Sequence, residues 1–364
     1  MTRKRSNSGF AGYDPALEVK VFEFQKTTYP ERDPDSIADY WRWLFVRSSE
    51  RLSCKPPLWL YIKNGEVVAH QGAIPVELWA SGETLKTGWF VETMAAESVR
   101  GSPIGPMVIK KALEDMPFAL SLGQNDQMRQ IQFALGWKQI RSLTKYTFVC
   151  GGKINLRRKL PPFLAEIAAA GLGAIGSYRS RRHLKSASAL YTAATISHFT
   201  DEHDRLWQRM AKTCQCVVRR DASYLNWKYV DRPAKRFEIV EIRRDNEVIG
   251  VVITSLESPT TVYPYSRGVL VDFVVPLDKE AAQIALLAFA VRRLAVNGAQ
   301  TVICQVANPA LERVLKQFGF SARGEGHQFL ISTAQIRGPI AEQLANPENW
   351  LLTLGDSDAD GYPD

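Results

Sequence analysis

A short loop between an apolar stretch and a helical pattern carries the side chains and glycines best suited to chemistry. The apolar spacing after it, at Ile109, Ala112 and Met116, predicts a helix that starts near the loop's end. Free N–H groups and the positive dipole end at a helix start both favour an anion, so the loop predicts an anion site. The loop reads Arg100, Gly101, Ser102, Pro103, Ile104 and Gly105.

The stretch before this loop, residues 88–95, is a predicted buried strand with a single acid, Glu92, inside it. One interpretation is a structural carboxylate that accepts hydrogen bonds from a neighbouring strand. The other is a general base held beside the anion loop, because a carboxylate near a bound substrate can accept a proton. The residues leave both interpretations open.

Length and composition predict a soluble protein with two sizeable cores. The chain has 364 residues, of which 45% are hydrophobic and 23% charged. The five cysteines are scattered, and Cys214-x-Cys216 lacks the spacing of a zinc site, so no metal is expected. No signal peptide is visible, and no apolar run reaches the roughly 20 residues of a membrane helix. These features predict a cytoplasmic protein.

The excess positive charge is concentrated in residues 151–190, which hold eight Lys or Arg and one acid. This segment therefore contributes +7 of the net charge of +8. It is interpreted as a solvated basic linker with a short apolar helix at about 162–176, or as a patch that touches an anionic surface weakly. Apart from Tyr178 it lacks aromatic residues between the cations, so no DNA partner is expected.

The two sides of this linker resemble each other, which predicts a duplicated unit. Five features recur in the same order at offsets of 180 to 184 residues. The pairs are Trp43 and Trp227, Asn64 and Asp245, Glu92 and Asp272, Asn125 and Asn308, and Gly136 and Gly319.

Each copy predicts the same element order: an aromatic helix, a hairpin, a central strand, a long helix, a buried strand, a short helix and a last strand. The predicted fold class is α/β (α+β), with two tandem units that each contain a mixed, mostly antiparallel sheet flanked by helices. The predicted division is a disordered basic tail at 1–19, an N-terminal unit at 20–150, a linker at 151–200, a C-terminal unit at 201–335, and an extension with a solvated acidic tail at 336–364.

The loop at 100–105 resembles the Arg/Gln-x-x-Gly-x-Gly/Ala pyrophosphate loop of the GNAT superfamily of acyl-CoA N-acyltransferases. The segment from Asn125 to Leu135-Gly136-Trp137 is similar to the Asn…Leu-Gly-Phe ending of the fourth helix in that fold. With the repeat, the chain from about 20 to 335 resembles tandem-GNAT acyltransferases. Pro103 replaces the middle glycine of the family loop and has no N–H for a phosphate.

The resemblance implies that acetyl-CoA or another acyl-CoA is a substrate, and it assigns roles to individual residues. Backbone groups near Thr93 and Met94 would hold the acyl oxygen, the loop would bind the diphosphate, and Glu92 would be the general base. Asn125 would bind the pantetheine arm or cap its helix. Gln132 stands where the family often has a tyrosine acid, and Tyr146 is the candidate replacement.

The second copy has no glycine in the equivalent loop, 275–280, and places two acids there, so it is not expected to hold CoA. Three functions are open. The first is transfer of an acyl group from acyl-CoA to an amine of a sugar, an amino acid or a cell-surface precursor, which implies a small-molecule or glycan acceptor. The second is a Fem-like peptidyltransferase that uses aminoacyl-tRNA. The third is a non-catalytic binding module. The oligomeric state is not predicted.

Overall fold

The N-terminal half alternates strands and helices in the order that its sequence pattern predicts. The computed structural model describes residues 8–151, 161–234, 237–333 and 336–361. The elements of this half are β1 (Ser8–Gly12), α1 (Glu18–Thr28), α2 (Ile37–Trp41), a π-helical turn (Arg42–Arg47), α3 (Ser48–Arg51), β2 (Leu58–Lys63), β3 (Glu66–Ala80), β4 (Glu83–Ala95), α4 (Ile104–Asp115), β5 (Phe118–Leu122), α5 (Asp126–Ala134) and β6 (Lys138–Val149).

The C-terminal half follows a similar order, with additional elements at its start and end. These elements are α6 (Pro162–Ser188), β7 (Thr192–Ile196), α7 (Asp201–Ala211), β8 (Cys216–Val218), α8 (Ala222–Leu225), a π-helical turn (Asn226–Val230), β9 (Glu238–Arg244), β10 (Glu247–Glu257), β11 (Arg267–Val274), α9 (Glu280–Val296), β12 (Thr301–Ala307), α10 (Pro309–Phe318), β13 (Ser321–Thr333), α11 (Pro339–Ala345) and β14 (Leu352–Thr353).

The strands join into one continuous sheet in the order β1-β2-β3-β4-β5-β13-β6-β12-β11-β10-β9-β7, with β8 paired to β3 and β14 to β12. Most pairs are antiparallel, whereas β4–β5 and β11–β12 are parallel. The two halves exchange their last strands: β13 pairs with β5, and β6 pairs with β12. The predicted α/β fold class is confirmed, and the exchange merges the two predicted sheets into one.

The two halves also meet at a pair of equivalent tryptophans. Trp43 and Trp227 stack with ring centroids 5.2 Å apart. Each indole N–H donates to the backbone carbonyl of the other residue, at 2.7 and 2.9 Å. Both side chains are buried. Two residues matched by the sequence repeat thus form a reciprocal contact between the two halves.

Residues 8–19, which were predicted to belong to a disordered tail, are folded. Ser8–Gly12 pairs as an antiparallel edge strand with β2, and Phe10 packs edge-on against Tyr61. The sequence signal for a strand at residues 8–12 was weak because Gly9 and Gly12 are poor strand formers. Residues 1–7 lie outside the described part of the chain.

The predicted linker is also more regular than its composition indicated. Its helix runs from Pro162 to Ser188 instead of ending near 176, and β7 then adds an edge strand beside β9. Arg and Lys are good helix formers, so the basic stretch continues the helix. Residues 152–160 lie outside the described residues.

The C-terminal acidic tail is not solvated, which corrects that prediction up to Gly361. Asp356 accepts from buried Arg220 at 2.9 Å, and Asp360 pairs with buried Arg232. Buried Lys228 donates to the backbone carbonyl of Ser357 at 2.5 Å. Burial of these carboxylates is tolerated because each faces a cation from the 220–232 segment.

No helix among the described residues is long and apolar enough to cross a membrane. Within the same residues, no group of three or more His, Cys, Asp or Glu side chains is arranged to hold a metal ion.

Candidate active site

A β-bulge in β4 places Glu92 at the centre of the candidate site. On β3, His70 pairs with Met94 but Gly72 pairs with Val91, so Gln71 faces two residues, Glu92 and Thr93. Glu92 has a φ of +54°. This left-handed conformation costs a non-glycine residue about 1–2 kcal/mol, so neighbouring groups must hold it.

His70 is one of the groups that hold the bulge. Its Nδ1 lies 2.8 Å from the backbone carbonyl oxygen of Glu92, and its Nε2 lies 3.4 Å from the indole N–H of Trp41. Burial lowers the pKa of His70 to about 4, so the ring is neutral near pH 7. These partners assign the tautomer in which Nδ1–H donates to Glu92 and Nε2 accepts from Trp41.

Gln71 supports the same bulge from the position opposite it. Its Oε1 accepts from the Thr93 hydroxyl at 2.6 Å, and its Nε2 donates to the Gly72 carbonyl at 2.6 Å. At Gly72, a Cβ atom would lie 2.3 Å from the ring of Phe45, so a side chain does not fit there. Consecutive residues of β3 therefore fix the backbone of β4 at Glu92 and Thr93.

Beyond the bulge, β4 and β5 diverge and leave a cleft. The two strands pair at Trp89 and Leu120. A cavity of about 460 Å³ opens beside the diverging strands, between β4, the loop at 100–105 and α5. Ile109, Met128 and Ile131 supply apolar wall. Seven of the predicted site residues line this cavity: Thr93, Met94, Arg100, Gly101, Ser102, Gly105 and Asn125.

The loop offers some of its backbone amides to a ligand. The N–H groups of Arg100, Ser102 and Ile104 have acceptors within the loop region, at 3.2, 3.2 and 3.4 Å. Within the described part of the chain, those of Gly101 and Gly105 have no acceptor, and both glycines adjoin open space. Pro103 and Pro106 have no N–H.

Two side chains of the predicted anion site have additional contacts. The Nε of Arg100 donates to the Ala95 carbonyl at 3.2 Å, which places the exposed guanidinium beside the loop. Asn125 caps α5, since its Oδ1 accepts from the Met128 N–H at 2.8 Å. Asn125 therefore caps α5 and lines the cavity at the same time. Ile104 begins α4 and does not line the cavity.

The Glu92 carboxylate is bound by Arg32, which precedes α2. Two N–H···O contacts of 2.8 and 2.9 Å make the pair bidentate. The side chain of Glu92 is 6% exposed and that of Arg32 is 23% exposed. Arg32 also stacks over Tyr29, which lines the cavity. Glu92 therefore lies behind the cavity wall instead of pointing freely into it.

The C-terminal tail brings a second acid to this region. Burial, and then the nearby carboxylates of Glu92 and Asp360, raise the pKa of Asp358. Burial followed by the charge of Asp358 raises the pKa of Tyr40 well above its ordinary value. The C-terminal tail therefore lies close to Glu92 of the N-terminal half.

Tyr146 is not brought together with the other predicted residues. It lies on β6 opposite Cys304 and Ala322, and its hydroxyl donates to the Glu312 carboxylate at 3.2 Å. Burial and the charge of Glu312 raise the pKa of Tyr146. The side chain is buried beside the C-terminal half and does not line the cavity.

The equivalent cleft of the C-terminal half is filled by protein. Strands β11 and β12 pair from Arg267 to Leu270 and then diverge. Strand β14 pairs with Val306 and Ala307 there, and the Gly355 N–H donates to the Val271 carbonyl at 2.8 Å. The chain itself thus occupies the space that is open in the N-terminal half.

Sequence reasoning missed Arg32, His70, Gln71 and the tail acids. His70-Gln71-Gly72 follows a strand pattern, so two polar residues and a glycine within a buried strand were the available signal. Arg32 and Asp358 carried no local signal, because their partners are distant in sequence.

Comparison with known proteins agrees with this geometry. No protein-family model and no curated protein sequence matches the chain. A GCN5-related N-acetyltransferase from Anabaena variabilis has a TM-score of 0.61 at 10% identity, covering 89% of this chain and 72% of its own. A probable N-acyltransferase from Enterococcus faecalis has a TM-score of 0.60 at 12% identity, covering 90% and 74%.

The N-myristoyltransferase of Saccharomyces cerevisiae with bound myristoyl-CoA has a TM-score of 0.54 at 12% identity, covering 90% of this chain and 82% of its own. The chain has the GNAT fold. At 10–12% identity the likeness establishes that fold and does not extend to the activity.

Proposed function

We propose that the chain is an acyltransferase that moves an acyl group from acyl-CoA to an amine at the cleft between β4 and β5. The observation that carries this proposal is the divergence of β4 from β5 after Trp89, beside a cavity lined by the predicted loop. A thioester placed between the diverging strands would meet the backbone of Thr93 and Met94. Donors there would stabilise the developing oxyanion.

The proposal includes the tandem organisation. The reciprocal Trp43–Trp227 contact and the two parallel strand pairs support a duplicated unit. The open cleft of the N-terminal half favours that half as the acyl-CoA site, since β14 fills the equivalent cleft. The C-terminal half then supports the site by contributing its last strand to β5 and its tail to the Glu92 region.

In the proposed reaction the neutral amine nitrogen attacks the thioester carbonyl carbon. The C–N bond forms, the C–S bond breaks, and the thiolate leaves. The amine proton must pass to a base, for which Glu92 is the candidate, acting through water because Arg32 holds its carboxylate. Tyr146 contacts Glu312 instead of the cavity, so protonation of the thiolate by solvent fits the geometry better.

A second cavity supports an amine-bearing acceptor. It has a volume of about 420 Å³ and shares Thr28 and Arg100 with the first cavity. Glu23, Glu66 and Glu97 line it together with two cations, Lys20 and Arg100. The three carboxyl groups leave a small negative excess, which suits a cationic ammonium before deprotonation. A small-molecule or glycan amine, such as that of a sugar, an amino acid or a cell-surface precursor, fits these groups.

An acyl-CoA donor is also consistent with a cytoplasmic enzyme, because all five cysteines are free thiols. One observation favours a Fem-like use of aminoacyl-tRNA as the second candidate. Pro103 and Pro106 remove two amides from the helix start, which leaves few donors for a diphosphate. An aminoacyl donor that is bound mainly through groups other than a diphosphate would tolerate the loss of these two amides.

Calorimetric titration with CoA, acetyl-CoA and a long-chain acyl-CoA tests the main proposal. Gly105→Leu should weaken binding at least about tenfold, because its side chain would enter the cavity beside the loop. Gly9→Leu is the matched control, since Gly9 also adjoins open space but lies on edge strand β1. Wild-type binding retained in Gly105→Leu, or absent for every CoA compound, would overturn the proposed donor.

Two further measurements separate the alternatives. Salt-sensitive binding of charged tRNA without CoA binding would favour the peptidyltransferase. Binding of neither donor would leave a non-catalytic module. Unchanged turnover in Glu92→Gln, measured as release of free thiol from acyl-CoA, would remove Glu92 from the mechanism while leaving the donor site intact.

A further inference from the structure

Helix α6 exposes its large apolar side chains to solvent. Phe163 is 72% exposed and Tyr178 is 68% exposed. The helix therefore presents an apolar surface where a helix packed on a sheet normally presents polar groups. The exposed large apolar residues of α6 are Phe163, Leu164, Ile167, Leu172, Ile175 and Tyr178.

The small residues of the same helix face inward, which fixes its orientation. At Gly176 a Cβ atom would lie 1.7 Å from the Val149 carbonyl oxygen, so the backbone of α6 lies directly against the end of β6. The helix also packs against α9 and α10. The helix cannot turn its apolar side inward without breaking the close contact between Gly176 and the end of β6. The inward residues are Ala165, Ala169, Gly173, Gly176, Ser180 and Ala187.

The outward side of the helix changes from apolar to cationic along its length. At about 100° per residue, Ile167 and Tyr178 lie in the sector opposite the inward residues, and Arg182 and Lys185 continue that sector in the last turns. Glu166 is the one acid in the helix sequence. Across the described ranges, no ion-pair partner is found for Arg179, Arg181, Arg182 or Lys185.

A groove adjoins the cationic end of this surface. It has a volume of about 890 Å³ and lies between α6, α9 and α10. Ala174, Ile284 and Ala285 give it apolar walls, while Arg182 and Lys316 place positive charges beside them. Such a groove suits an anionic group attached to an apolar chain.

We propose that the outward face of α6 binds the surface of an anionic lipid bilayer, with the helix lying in the interface. A helix of 27 residues is about 40 Å long, so its apolar turns and its cations would both reach the same surface. A bilayer offers hydrocarbon and anionic headgroups side by side, which matches this order of side chains. The proposal does not depend on the acyltransferase activity.

A bilayer fits better than the other occupants of such a face. Tyr178 is the aromatic residue nearest the cations, so the stacking surface that single-stranded nucleic acid needs is small. The apolar side chains protrude from a convex helix, and insertion into lipid requires no matching concave surface. Nucleic acid and a second copy of the chain remain distinguishable outcomes of the binding experiments.

Co-sedimentation of the full chain with vesicles tests this inference. Vesicles of phosphatidylcholine alone are compared with vesicles that contain about 30 mol % phosphatidylglycerol. We expect binding to the anionic vesicles that falls at least about tenfold when salt is raised to about 0.5 M. Neutralisation of Arg181, Arg182 and Lys185 to Gln should weaken it by at least about tenfold.

A second set of variants tests the apolar contribution independently. Ile167→Ser, Ile175→Ser and Tyr178→Ser together should also weaken vesicle binding by at least about tenfold. The matched controls are exposed residues elsewhere: Arg205, Arg292 and Arg313 changed to Gln, and Leu256, Val262 and Val296 changed to Ser. Both controls should bind vesicles as the wild type does, and circular dichroism checks that every variant is folded.

Three results would overturn the proposal. The first is equal binding to neutral and anionic vesicles, or no binding to either. The second is equal loss of binding in the α6 variants and their controls. The third is self-association or tRNA binding that depends on α6 while vesicle binding does not, measured by light scattering and by filter binding.

Discussion

Replacing Arg32 by Met removes the cation that holds the Glu92 carboxylate at the β4 bulge. The carboxylate would lose two hydrogen bonds, of 2.8 and 2.9 Å, while its side chain is only 6% exposed. The tail acid Asp358 would remain nearby, and its ionised form would add repulsion to the unpaired Glu92 carboxylate. We expect a loss of folding stability from the uncompensated buried charge.

The size of the loss follows from burial. Removing one partner of a fully buried ion pair costs about 3–5 kcal/mol, and a fully exposed pair is worth about 0–1 kcal/mol. Arg32 is 23% exposed, so water reaches one side of the pair. We therefore expect Arg32→Met to lower the free energy of unfolding by about 2–3 kcal/mol.

The reciprocal change should cost less. Glu92→Gln removes the charge from the more buried partner, and the more exposed Arg32 keeps a 3.4 Å contact with Gln25. We expect a loss of about 1 kcal/mol. The double variant contains neither charge, so its loss should be smaller than the sum of the single losses, with a coupling of about 1–2 kcal/mol.

Urea unfolding of the two single variants and the double variant at pH 7.5 measures this cycle. Arg100→Met is the control, because Arg100 is an exposed arginine that lines the neighbouring cavity and should change stability by at most about 0.5 kcal/mol.

The pH dependence adds a second test. Burial and Glu92 raise the pKa of Asp358, so its contribution to stability is present at low pH and is lost as the pH rises. Losing Arg32 should increase this effect, so the deficit should grow as the pH rises from about 4, the ordinary pKa of an aspartic acid, toward neutrality. Additive single losses, or a deficit that shrinks with pH, would refute the role given to this pair.

Two other predictions follow from the buried contacts between the halves. Trp43→Phe removes the N–H that binds the Trp227 carbonyl, and the unsatisfied carbonyl should cost about 1–3 kcal/mol in urea unfolding. Trp227→Phe should cost a similar amount because the contact is reciprocal, and a large difference between them would contradict that symmetry. Asp358→Asn should gain stability relative to the wild type as the pH rises from about 4 toward neutrality, because the native acid has a raised pKa. Thermal melts whose difference stays constant over this range would contradict this prediction.

Local pattern was sufficient to predict the elements around the site. The hairpin predicted for the first unit is formed by β2 and β3, and Asn64-Gly65, a favourable turn pair, lies between these strands. The strand, loop and helix around Gly101 and Gly105 also occur as predicted. These features depend on residues close in sequence, so propensity and periodicity were informative.

Features that depend on distant partners could not be predicted in this way. The exchange of β6 and β13 leaves no mark on either strand, because each keeps its own apolar pattern whichever neighbour it joins. The spacing of Asp356, Asp358 and Asp360 is typical of a solvated acidic tail. Its burial follows from Arg220 and Arg232, more than 100 residues earlier in the sequence.

The two central acids, Glu92 and Asp272, have different surroundings. Asp272 accepts from the Arg220 guanidinium, the Tyr229 hydroxyl, the Thr353 hydroxyl and its neighbour's N–H, so its oxygens are saturated. Thr353 belongs to β14, so the strand that fills this cleft also builds part of this shell. Glu92 also pairs with an arginine, but the equivalent cleft beside it is open.

The open cleft makes the strained backbone at Glu92 informative. A purely structural acid could occupy relaxed strand geometry, yet Glu92 has a φ of +54°, and His70 and Gln71 are both used to hold the bulge. The strained backbone lies where β4 separates from β5 and where Thr93 and Met94 line the cavity. Strain held in place at the mouth of an open cleft favours a binding role for this backbone over a scaffolding role.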